Sequence, residues 1–525
     1  MNASPSHPSM APKPLSNGKK AFLAGTLLLT ATGLICRFLG FFYRIYMSRT
    51  IGAEGLGLYN MVHTLFNLSF AVCAGSIQTA LSQYIAAHRP QGRRIFITGL
   101  LCALGLSVTM AWLLYAQSSP IASYILLEPR CAPYIPLIAL SVPFAAVHAC
   151  INGYYYGMQK ARVPALSQVA EQVIRMIAVF LIAKVLLSSG REITLSLAVY
   201  GHVIGEAAAS GFSLFCLGFF PPENEKTEGR ISGISGSGLP YASQKSILIP
   251  LMTLALPLMG SRLVLNLLGS AEAVLIPNRL VSCGLTNSEA LSIYGVLTSM
   301  ALPFVLFPSA ITNSMAVLLL PSAAQAQSDG NHERIASMIS LSLRYSCYMG
   351  ILCIGIFTLF GMQLGFEVFQ DRNAGLFITI LSWLCPFMYL ATTLGSILNG
   401  LGKTASTFLF NTAAMVIRLG FVIFGIPAMG IYGYLLGMLL GELALAFMNF
   451  LALKKLAPVR WDCMTMVIKP SILLVLSIGI YFALTPCFKA LSHFPAFIQT
   501  MLQSGFVSLC YLGLLLIFHL GKKQG

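Results

Sequence analysis

Charged residues are scarce in this chain. Only 9% of its 525 residues are Asp, Glu, Lys or Arg, and 57% are hydrophobic, whereas a soluble globular domain carries about 25% charged residues. So little charge cannot cover a water-exposed surface, which excludes a string of soluble domains. The sequence also lacks CxxC spacings and a GxxxxGK[ST] phosphate-binding loop, so it offers no paired-cysteine metal site and no such loop for ATP.

The basic residues exceed the acidic ones, giving a formal net charge of +16. They lie singly or in small groups between apolar runs, which favours membrane-flanking loops over a nucleic-acid surface. Most of the thirteen cysteines fall inside apolar runs and are interpreted as small packing residues. We therefore expect no cofactor, no metal and no nucleic-acid partner.

Apolar runs of about 20 residues, the length that crosses a bilayer, recur along the whole chain. We count about 14, and predict an all-α polytopic membrane protein. The apolar run from Ala21 resembles a signal peptide, but Arg37 and Arg44 continue the same helix, so we interpret it as an uncleaved first span. The predicted spans centre near Leu34, Phe70, Leu106, Pro143, Ile177, Ala207, Leu256, Phe304, Cys353, Pro386, Ile417, Leu440, Leu476 and Leu509.

The longest polar stretch divides these spans into two groups. We predict a cytoplasmic tail (1–20), a six-helix lobe (21–220), a cytoplasmic linker (221–245), a second six-helix lobe (246–455) and two further helices with a short tail (456–525). Lys and Arg concentrate in loops on one side, about 19 against about six, and such loops stay cytoplasmic. Both termini are then cytoplasmic, in a bacterial plasma membrane.

Three spaced matches indicate an internal duplication. Arg44, Glu54 and Tyr59 recur 235 residues later as Arg279, Glu289 and Tyr294. Lys160 and Arg175 recur as Lys403 and Arg418 at an offset of 243, and Gly205-Glu206 recurs as Gly441-Glu442 at an offset of 236. Because six spans is an even number, the two lobes share one orientation and are related by a pseudo-two-fold axis along the membrane normal.

Several arginines fall within spans, where a charge facing lipid at mid-depth costs about 3 kcal/mol. Arg37 and Arg44 are seven residues apart, so they share one helical face, and Arg262 lies on the first span of the second lobe. One interpretation places all three in a central cleft, where guanidinium groups bind phosphate. The other is that they extend toward the interface and its headgroups.

Two more arginines, Arg175 and Arg418, have acidic residues nearby in sequence. Glu171 is four residues before Arg175, which suits a local ion pair as well as a transport role. In the second lobe the residue equivalent to Glu171 is Ala414, so Arg418 needs another partner. Glu442 on the next span is a candidate for Arg418, and Glu206 is the equivalent candidate for Arg175. Glu206, Glu272 and Glu442 are also candidates for ion or proton coupling.

Three intramembrane histidines are interpreted as buried and hydrogen-bonded rather than metal-binding: His63, His148 and His202.

The segment GLICRFLGFFYRIYMSRTIGAEGLGLYN (Gly33 to Asn60) resembles the opening signature of the stage V sporulation protein B group of polysaccharide exporters. That group belongs to the multidrug/oligosaccharidyl-lipid/polysaccharide (MOP) superfamily, which includes lipid II flippases. The resemblance implies 14 helices in two lobes, alternating access, and cationic cleft residues such as Arg37 and Arg262 contacting pyrophosphate. Gln78, in place of a proline, and Glu272, in place of an aspartate, depart from the group's pattern.

These features predict an exporter that moves a polyprenyl-pyrophosphate sugar from the inner to the outer leaflet, with membrane lipids around it and cell-wall or polysaccharide synthesis proteins as candidate partners. A cation-coupled multidrug exporter of the same superfamily is one alternative, although cationic drugs call for an acidic cleft. A membrane glycosyltransferase is another, and would need catalytic carboxylates among outer-loop acids such as Glu54, Glu128 and Glu192.

Overall fold

The computed structural model describes residues 17–222, 244–458, 461–484, 486 and 493–518. Within these ranges every regular element is helical, as the hydrophobic pattern predicts. Each of the predicted span centres falls inside a helix. The predicted tail and linker lie largely outside the described residues, at 1–16 and 223–243.

The longer helices are numbered here in chain order. They are α1 (Asn17–Phe70), α2 (Ser76–Ala87), α3 (Gly92–Ala116), α4 (Ser141–Gly157), α5 (Arg162–Ser188), α6 (Ser196–Phe219), α7 (Gln244–Ser282), α8 (Asn287–Gly295), α9 (Ser309–Ser328), α10 (His332–Phe369), α11 (Arg372–Leu381), α12 (Cys385–Gly400), α13 (Thr404–Gly420), α14 (Ile431–Lys454), α15 (Lys469–Ala483) and α16 (Ala496–Ile517).

Eleven stretches of the described chain are long and apolar enough to cross a membrane, or twelve if a bent pair forms one span. The predicted count of 14 is therefore not confirmed. The first two predicted spans count as one because Leu28–Ala87 is a single 60-residue stretch. The predicted span near Ile177 is not counted because α5 carries the charged residues Glu171, Arg175 and Lys184.

The first long helix bends where a glycine allows it. Gly52 has a φ of 72° and a ψ of 178° inside α1, a conformation that residues with a Cβ rarely adopt. The chain then returns through the bundle as the second half of α1, a π-helical turn at Ala71–Gly75 and α2. We call the end of the bundle at Gly52 the outer end, following the predicted orientation, and the opposite end, at Lys403, the inner end.

The buried core shows how the two halves meet. One large cluster near the outer end joins both halves, including Met47 and Leu56 with Leu291 and Phe304. Toward the inner end the core divides into one cluster of the second half and another of the first half. The halves are therefore packed together at the outer end and separate toward the inner end, with the inner part of α7 (Ile247) lying against the first half.

Equivalent packing recurs in both halves, as the duplication predicts. In the first half, a Cβ on Gly205 would lie 2.7 Å from Nε of Arg175. In the second, a Cβ on Gly441 would lie 2.8 Å from Cγ of Arg418. Each pair thus places an arginine of the fifth span directly against a glycine of the sixth.

Candidate functional site

Two arginines, each near the middle of the first span of its half, bridge the two halves on the inner side of the outer-end core. Arg262 on α7 donates from Nη2 to Oγ1 of Thr79 on α2, at 2.9 Å. Arg37 on α1 contacts Oγ of Ser309 at the start of α9, at 3.4 Å. In each case the first span of one half places a guanidinium on a hydroxyl of the second span of the other half. We call these two contacts the inner seams.

The Arg262 seam depends on a glycine. A Cβ at Gly75 would lie 2.6 Å from Nη1 of Arg262 and 2.9 Å from the ring of Phe70. Gly75 ends the π-helical turn at Ala71–Gly75, and such turns commonly occur at functional sites in helices. The guanidinium therefore lies directly on the backbone of the second span.

Arg44 lines a cavity of about 160 Å³ where the halves meet, toward the outer end. Its walls come mainly from the first half, with one contribution from the second, Ser299. The other lining residues are Gly40, Tyr43, Met47, Leu56, Tyr59, Asn60, His63, Gln172, Arg175 and Ala198. The Arg44 side chain is exposed, which both interpretations of this residue allow.

The five predicted arginines separate into two groups. Among the described residues, Arg37, Arg44 and Arg262 have no carboxylate within 4.0 Å. Arg175 and Arg418 each have one, Glu171 and Glu272 respectively. Three of these five guanidinium groups thus have no carboxylate beside them in the described part of the chain, and all three lie where the halves meet. Arg49 has none either, but it donates to the backbone carbonyls of Glu367 and Val368 in the second half.

The suggested pair of Arg175 with Glu171 is confirmed. Glu442 as the partner of Arg418, and Glu206 as a partner of Arg175, were wrong. Arg418 pairs with Glu272 on α7, with Nη2 2.6 Å from Oε2, and also contacts the Tyr434 hydroxyl; Glu442 makes no ion pair in the described chain. The physical reason is that α7 packs beside α13 and brings a carboxylate across 146 residues of sequence. Arg175 pairs with Glu171 one turn away, and Glu206 lies instead near His148.

The three intramembrane histidines differ from one another. His148 contacts Asn152 and Ser167, as expected of a hydrogen-bonded histidine. His202 is buried, and neither of its ring nitrogens has a partner in the described part of the chain, so that expectation was wrong for this residue. It stacks against His63 and Phe66 instead, with ring centroids 4.9 and 4.4 Å away.

A polar cluster closes the outer end, and we call it the outer seal: Glu54, Glu128, Arg130, Asn287 and Ser288. Arg130 donates to Glu54 at 2.7 Å and to Glu128 at 2.9 Å, all within the first half. From the second half, Asn287 donates to Glu128 and Ser288 donates to Glu54, each at 2.6 Å. The two carboxylates thus receive hydrogen bonds from both halves at once.

The buried carboxylate of this seal is stabilised in its charged form. Glu128 is 3% exposed, and burial opposes ionisation. Hydrogen bonds from the Arg130 side chain, from Asn287 and from the Arg130 backbone nevertheless hold the pKa of Glu128 below its ordinary value. A charged Glu128 is therefore part of the closed outer end.

Beneath the outer seal, α8 and the second half of α1 cross at very short distance. A Cβ at Gly57 would lie 2.3 Å from the carbonyl oxygen of Leu291, and one at Gly295 would lie 1.9 Å from that of Ala53. Next to this crossing, Asn60 donates to Thr298 and Ser299, both at 2.7 Å. These contacts join the second spans of the two halves.

Sequence reasoning did not single out Thr79, Ser309, Asn287 or Ser288, because isolated hydroxyl and amide residues carry no signal of their own. Glu54 had a signal in the repeated Arg-x9-Glu-x4-Tyr pattern. Its counterpart Glu289 forms a capping box with Thr286 rather than a contact between halves. The repeat therefore conserves the position but not the role.

Solved structures with this arrangement are membrane transporters. The chain superposes on lipid II flippase MurJ in an inward closed conformation with a TM-score of 0.71 and 12% identity, covering 94% of this chain and 99% of that one. It also matches an inward-facing MATE family transporter of the MOP superfamily, with a TM-score of 0.58, 14% identity and coverage of 83% and 99%. The fold is thus that of the MOP transporters.

The sequence narrows this class further. Residues 22–319, more than half of the chain, match the family model described as polysaccharide biosynthesis protein. This chain belongs to that family. Among its relatives is stage V sporulation protein B of Bacillus subtilis (strain 168), 26% identical over 452 residues, or 84% of this chain and 85% of the relative. Another is lipid II flippase MurJ of the same strain, 23% identical over 460 residues, or 82% of each chain.

Proposed function

We propose that this protein carries a polyprenyl-pyrophosphate-linked glycan precursor from the inner to the outer leaflet of a bacterial plasma membrane by alternating access. The observation that carries the proposal is a set of arginines where the halves meet that have neither a carboxylate nor a backbone carbonyl as partner among the described residues: Arg37, Arg44 and Arg262. Arg37 and Arg44 are exposed and Arg262 is half-buried, so all three guanidinium groups are accessible to an anionic ligand. A charge within a membrane span is costly without an anion, and an anionic ligand removes that cost. The name of the MurJ relative, a lipid II flippase, supports this substrate class.

The inner seams have the chemistry of a replaceable contact. Arg37 and Arg262 each bond a neutral hydroxyl. A phosphate oxygen makes a stronger, charge-assisted bond to a guanidinium, and often a bidentate one. A pyrophosphate arriving from the inner leaflet therefore competes favourably with Ser309 and Thr79, and its binding opens the seam.

Arg44 is the next cation along the same helix. It lies seven residues from Arg37, a rise of about 10.5 Å at 1.5 Å per residue. The two arginines mark a path from the seam to the cavity that also holds Arg175. The lipid tail remains in the bilayer while the polar head follows this path.

The membrane potential favours export of such a head group. Moving about two negative charges from a negative interior to the outside releases roughly 4–5 kcal/mol per 100 mV. This free energy is enough to drive the outward movement of the loaded protein. The empty cleft is positively charged, so its return to the inward-facing state is opposed by the same membrane potential. Glu206, Glu272 and Glu442 are the carboxylates whose occupancy by a proton or cation would offset that return.

The two alternative functions fit the site less well. A cation-coupled drug exporter needs an anionic cavity, whereas this one is lined by Arg44 and Arg175. A glycosyltransferase needs free carboxylates on the outer side, and two of the three candidates, Glu54 and Glu128, are bonded to Arg130. Among the described residues Glu192 alone of the three makes no ion pair, and it lies exposed in the loop before α6. Transport is therefore the function that the charge distribution supports best.

Lipid binding tests the proposal directly. The purified protein in nanodiscs is titrated with undecaprenyl pyrophosphate and with undecaprenol, which shares the tail but has no phosphate. Hydrogen bonds to a charged group contribute about 1.5–3 kcal/mol, so R37A, R44A and R262A should each weaken pyrophosphate binding by about 10- to 100-fold. Undecaprenol binding should not change.

The matched control is R191A, which removes an exposed arginine from the loop before α6. It should bind both lipids as the wild type does. Equal affinity of the wild type for the two lipids would contradict the proposal, as would an equal loss in R191A. In cells, depletion of the protein should cause its lipid-linked precursor to accumulate in the inner leaflet.

A further inference from the structure

A cavity of about 430 Å³ lies at the inner end of the second half, between α12, α13 and the end of α14. Every residue that lines it belongs to this half, so the cavity is separate from the boundary where Arg37, Arg44 and Arg262 lie. Its volume falls within the roughly 300–1,000 Å³ of small-molecule pockets. It is therefore large enough to hold part of a lipid, and it lies away from the proposed substrate path.

Two lysines line this cavity, and neither is paired with an anion. Lys403 directly precedes α13, and Lys455 directly follows α14. In the described part of the chain no carboxylate lies within 4.0 Å of either ammonium group, and none of the lining residues is acidic. Ser406, in the first turn of α13, adds a hydroxyl to the lining. The polar part of the cavity therefore offers two positive charges and a hydrogen-bond donor to an anion.

The rest of the lining is apolar and continues onto the surface of the bundle. It consists of Leu398, Phe410, Met448, Leu451, Ala452 and Leu456. Leu451 is 40% exposed, and two neighbours in sequence of lining residues, Leu409 and Phe447, are 61% and 58% exposed. Large exposed apolar side chains grouped in this way mark a surface that contacts lipid. A ligand of this cavity must therefore be amphipathic, with an anionic group at the lysines and an apolar part beside the lipid-facing side chains.

The corresponding space in the first half is filled by a tyrosine. Tyr155 on α4 is 1% exposed, and its hydroxyl donates to the carbonyls of Cys216 at 3.1 Å and Phe220 at 2.7 Å. The side chain thereby joins α4 to the end of α6. At the position equivalent to Lys455, 236 residues earlier, this half has Phe219. The first half thus fills the space and lacks one of the two cations.

Leu398 replaces this tyrosine in the second half. It lies 243 residues after Tyr155, and the residues with positive φ in the turns that follow them are also 243 apart. Leucine is shorter than tyrosine and has no hydroxyl, so it cannot reach the end of the sixth span. The residues equivalent to the two carbonyl acceptors are Ala452 and Leu456, and both line the cavity. The cavity therefore exists where the second half departs from its own repeat.

We propose that this cavity binds one anionic phospholipid of the inner leaflet, with its phosphate at Lys403 and Lys455 and an acyl chain against Leu451. Lysines at this level of the membrane attract anionic lipids, and basic pockets between spans bind their head groups. A soluble phosphate would leave the apolar lining in contact with water, whereas a phospholipid covers it. The bound lipid links the start of α13 to the end of α14, the two places that a tyrosine side chain does not join in this half.

Native mass spectrometry of the purified protein tests the site without any polyprenyl lipid, so its outcome is independent of the proposed function. The protein is titrated with phosphatidylglycerol and, separately, with phosphatidylcholine of the same acyl chains. The wild type should retain one phosphatidylglycerol in preference to phosphatidylcholine. K403Q/K455Q should bind phosphatidylglycerol about 30-fold more weakly, since each lysine contributes roughly a factor of five.

The matched control is K160Q/K454Q, which removes two positive charges from the same end of the bundle. Lys160 is the repeat counterpart of Lys403, and Lys454 is the neighbour of Lys455; neither lines the cavity. This control should bind phosphatidylglycerol as the wild type does. Equal affinity of the wild type for the two lipids would overturn the proposal, as would an equal loss in the control.

A further variant fills the cavity and keeps both lysines. L398Y introduces the residue of the first half and should reduce phosphatidylglycerol binding to the level of phosphatidylcholine. Unchanged binding in folded L398Y would overturn the assignment to this cavity, and if L398Y does not fold, the exposed lysine substitutions still decide the question. Excess glycerol 3-phosphate should not displace the lipid, and displacement would show that the site binds a soluble phosphate instead.

Discussion

The outer seal depends on two neutral donors from the second half, so removing them should open the outer end. Asn287 and Ser288 donate to Glu128 and Glu54 across the boundary between halves. The double variant N287A/S288A deletes both bonds and leaves the Arg130 contacts within the first half in place. The carboxylates therefore keep their cation and only these two links between the halves are lost, while Asn60 and Arg49 still bond the second half.

The size of the effect follows from the type of bond. A hydrogen bond to a charged group contributes about 1.5–3 kcal/mol. Glu54 and Ser288 are partly exposed to solvent, so we take the lower value for each bond, about 3 kcal/mol for the two. This corresponds to roughly a 100-fold shift of the equilibrium toward the outer-open state.

A natural methionine reports the opening. Met61 is 1% exposed and lies beside Glu128 and Asn287 in a cavity between the halves. Its oxidation by peroxide, measured by mass spectrometry, should rise with the open population. Met429, which is 54% exposed near the same end, serves as the internal reference and should oxidise equally in every variant.

The control variant removes a comparable contact that does not cross the boundary. Thr194 and Ser196 form a hydroxyl pair 2.6 Å apart within the first half at the outer end. T194A/S196A should leave Met61 protected. If N287A/S288A protects Met61 as well as the wild type or this control does, the seal does not hold the halves together and the reasoning fails.

Three further predictions concern single positions. The pKa of Glu128 is lowered in the closed protein. Its contribution to closure is therefore complete above the ordinary carboxyl pKa of about 4.3 and is lost as the pH falls through the lower value. Met61 should stay protected from peroxide at pH 5, whereas the E128Q substitution should expose it at pH 7. G295A places a Cβ 1.9 Å from the Ala53 carbonyl and should cost about 1–3 kcal/mol in a thermal melt, while G105A, which faces open space, should not. R418L leaves Glu272 buried without its cation and should lower the free energy of unfolding by about 3–5 kcal/mol, whereas the double variant R418L/E272L should recover most of that loss. A double variant no more stable than R418L would contradict the pairing.

Most of the helical architecture could be predicted from the sequence because the bilayer sets the length of each apolar run. All the span centres fall within helices, and the repeat-related Arg175 and Arg418 each lie against a glycine of the following span. The bends could not be predicted. The turn at Gly52 and the π-helical turns at Ala71–Gly75 and Val296–Ala301 depend on packing between halves, which leaves no periodic signal in a uniformly apolar segment.

The sequence shows the intramembrane arginines but not their contacts. An intramembrane arginine is conspicuous in a sequence, so all five could be named. The partner of each depends on which spans lie side by side, and Glu272 reaches Arg418 from the first span of the second half. Local spacing favoured Glu442, because sequence distance ranks the next span above one that lies 146 residues away.

The distribution of charges suggests how a ligand would change the conformation. The cavity at Arg44, about 160 Å³, is smaller than the roughly 300 Å³ of a typical small-ligand pocket, so a glycan head group requires the halves to separate. A ligand shifts such an equilibrium only by its differential affinity for the two states. The outer seal contributes about 3 kcal/mol to closure through its two bridging bonds, and a pyrophosphate that engages two arginines gains a comparable amount. Opening outward is therefore within reach of the binding energy of the head group, provided that its contacts with Arg44 strengthen as the seal breaks.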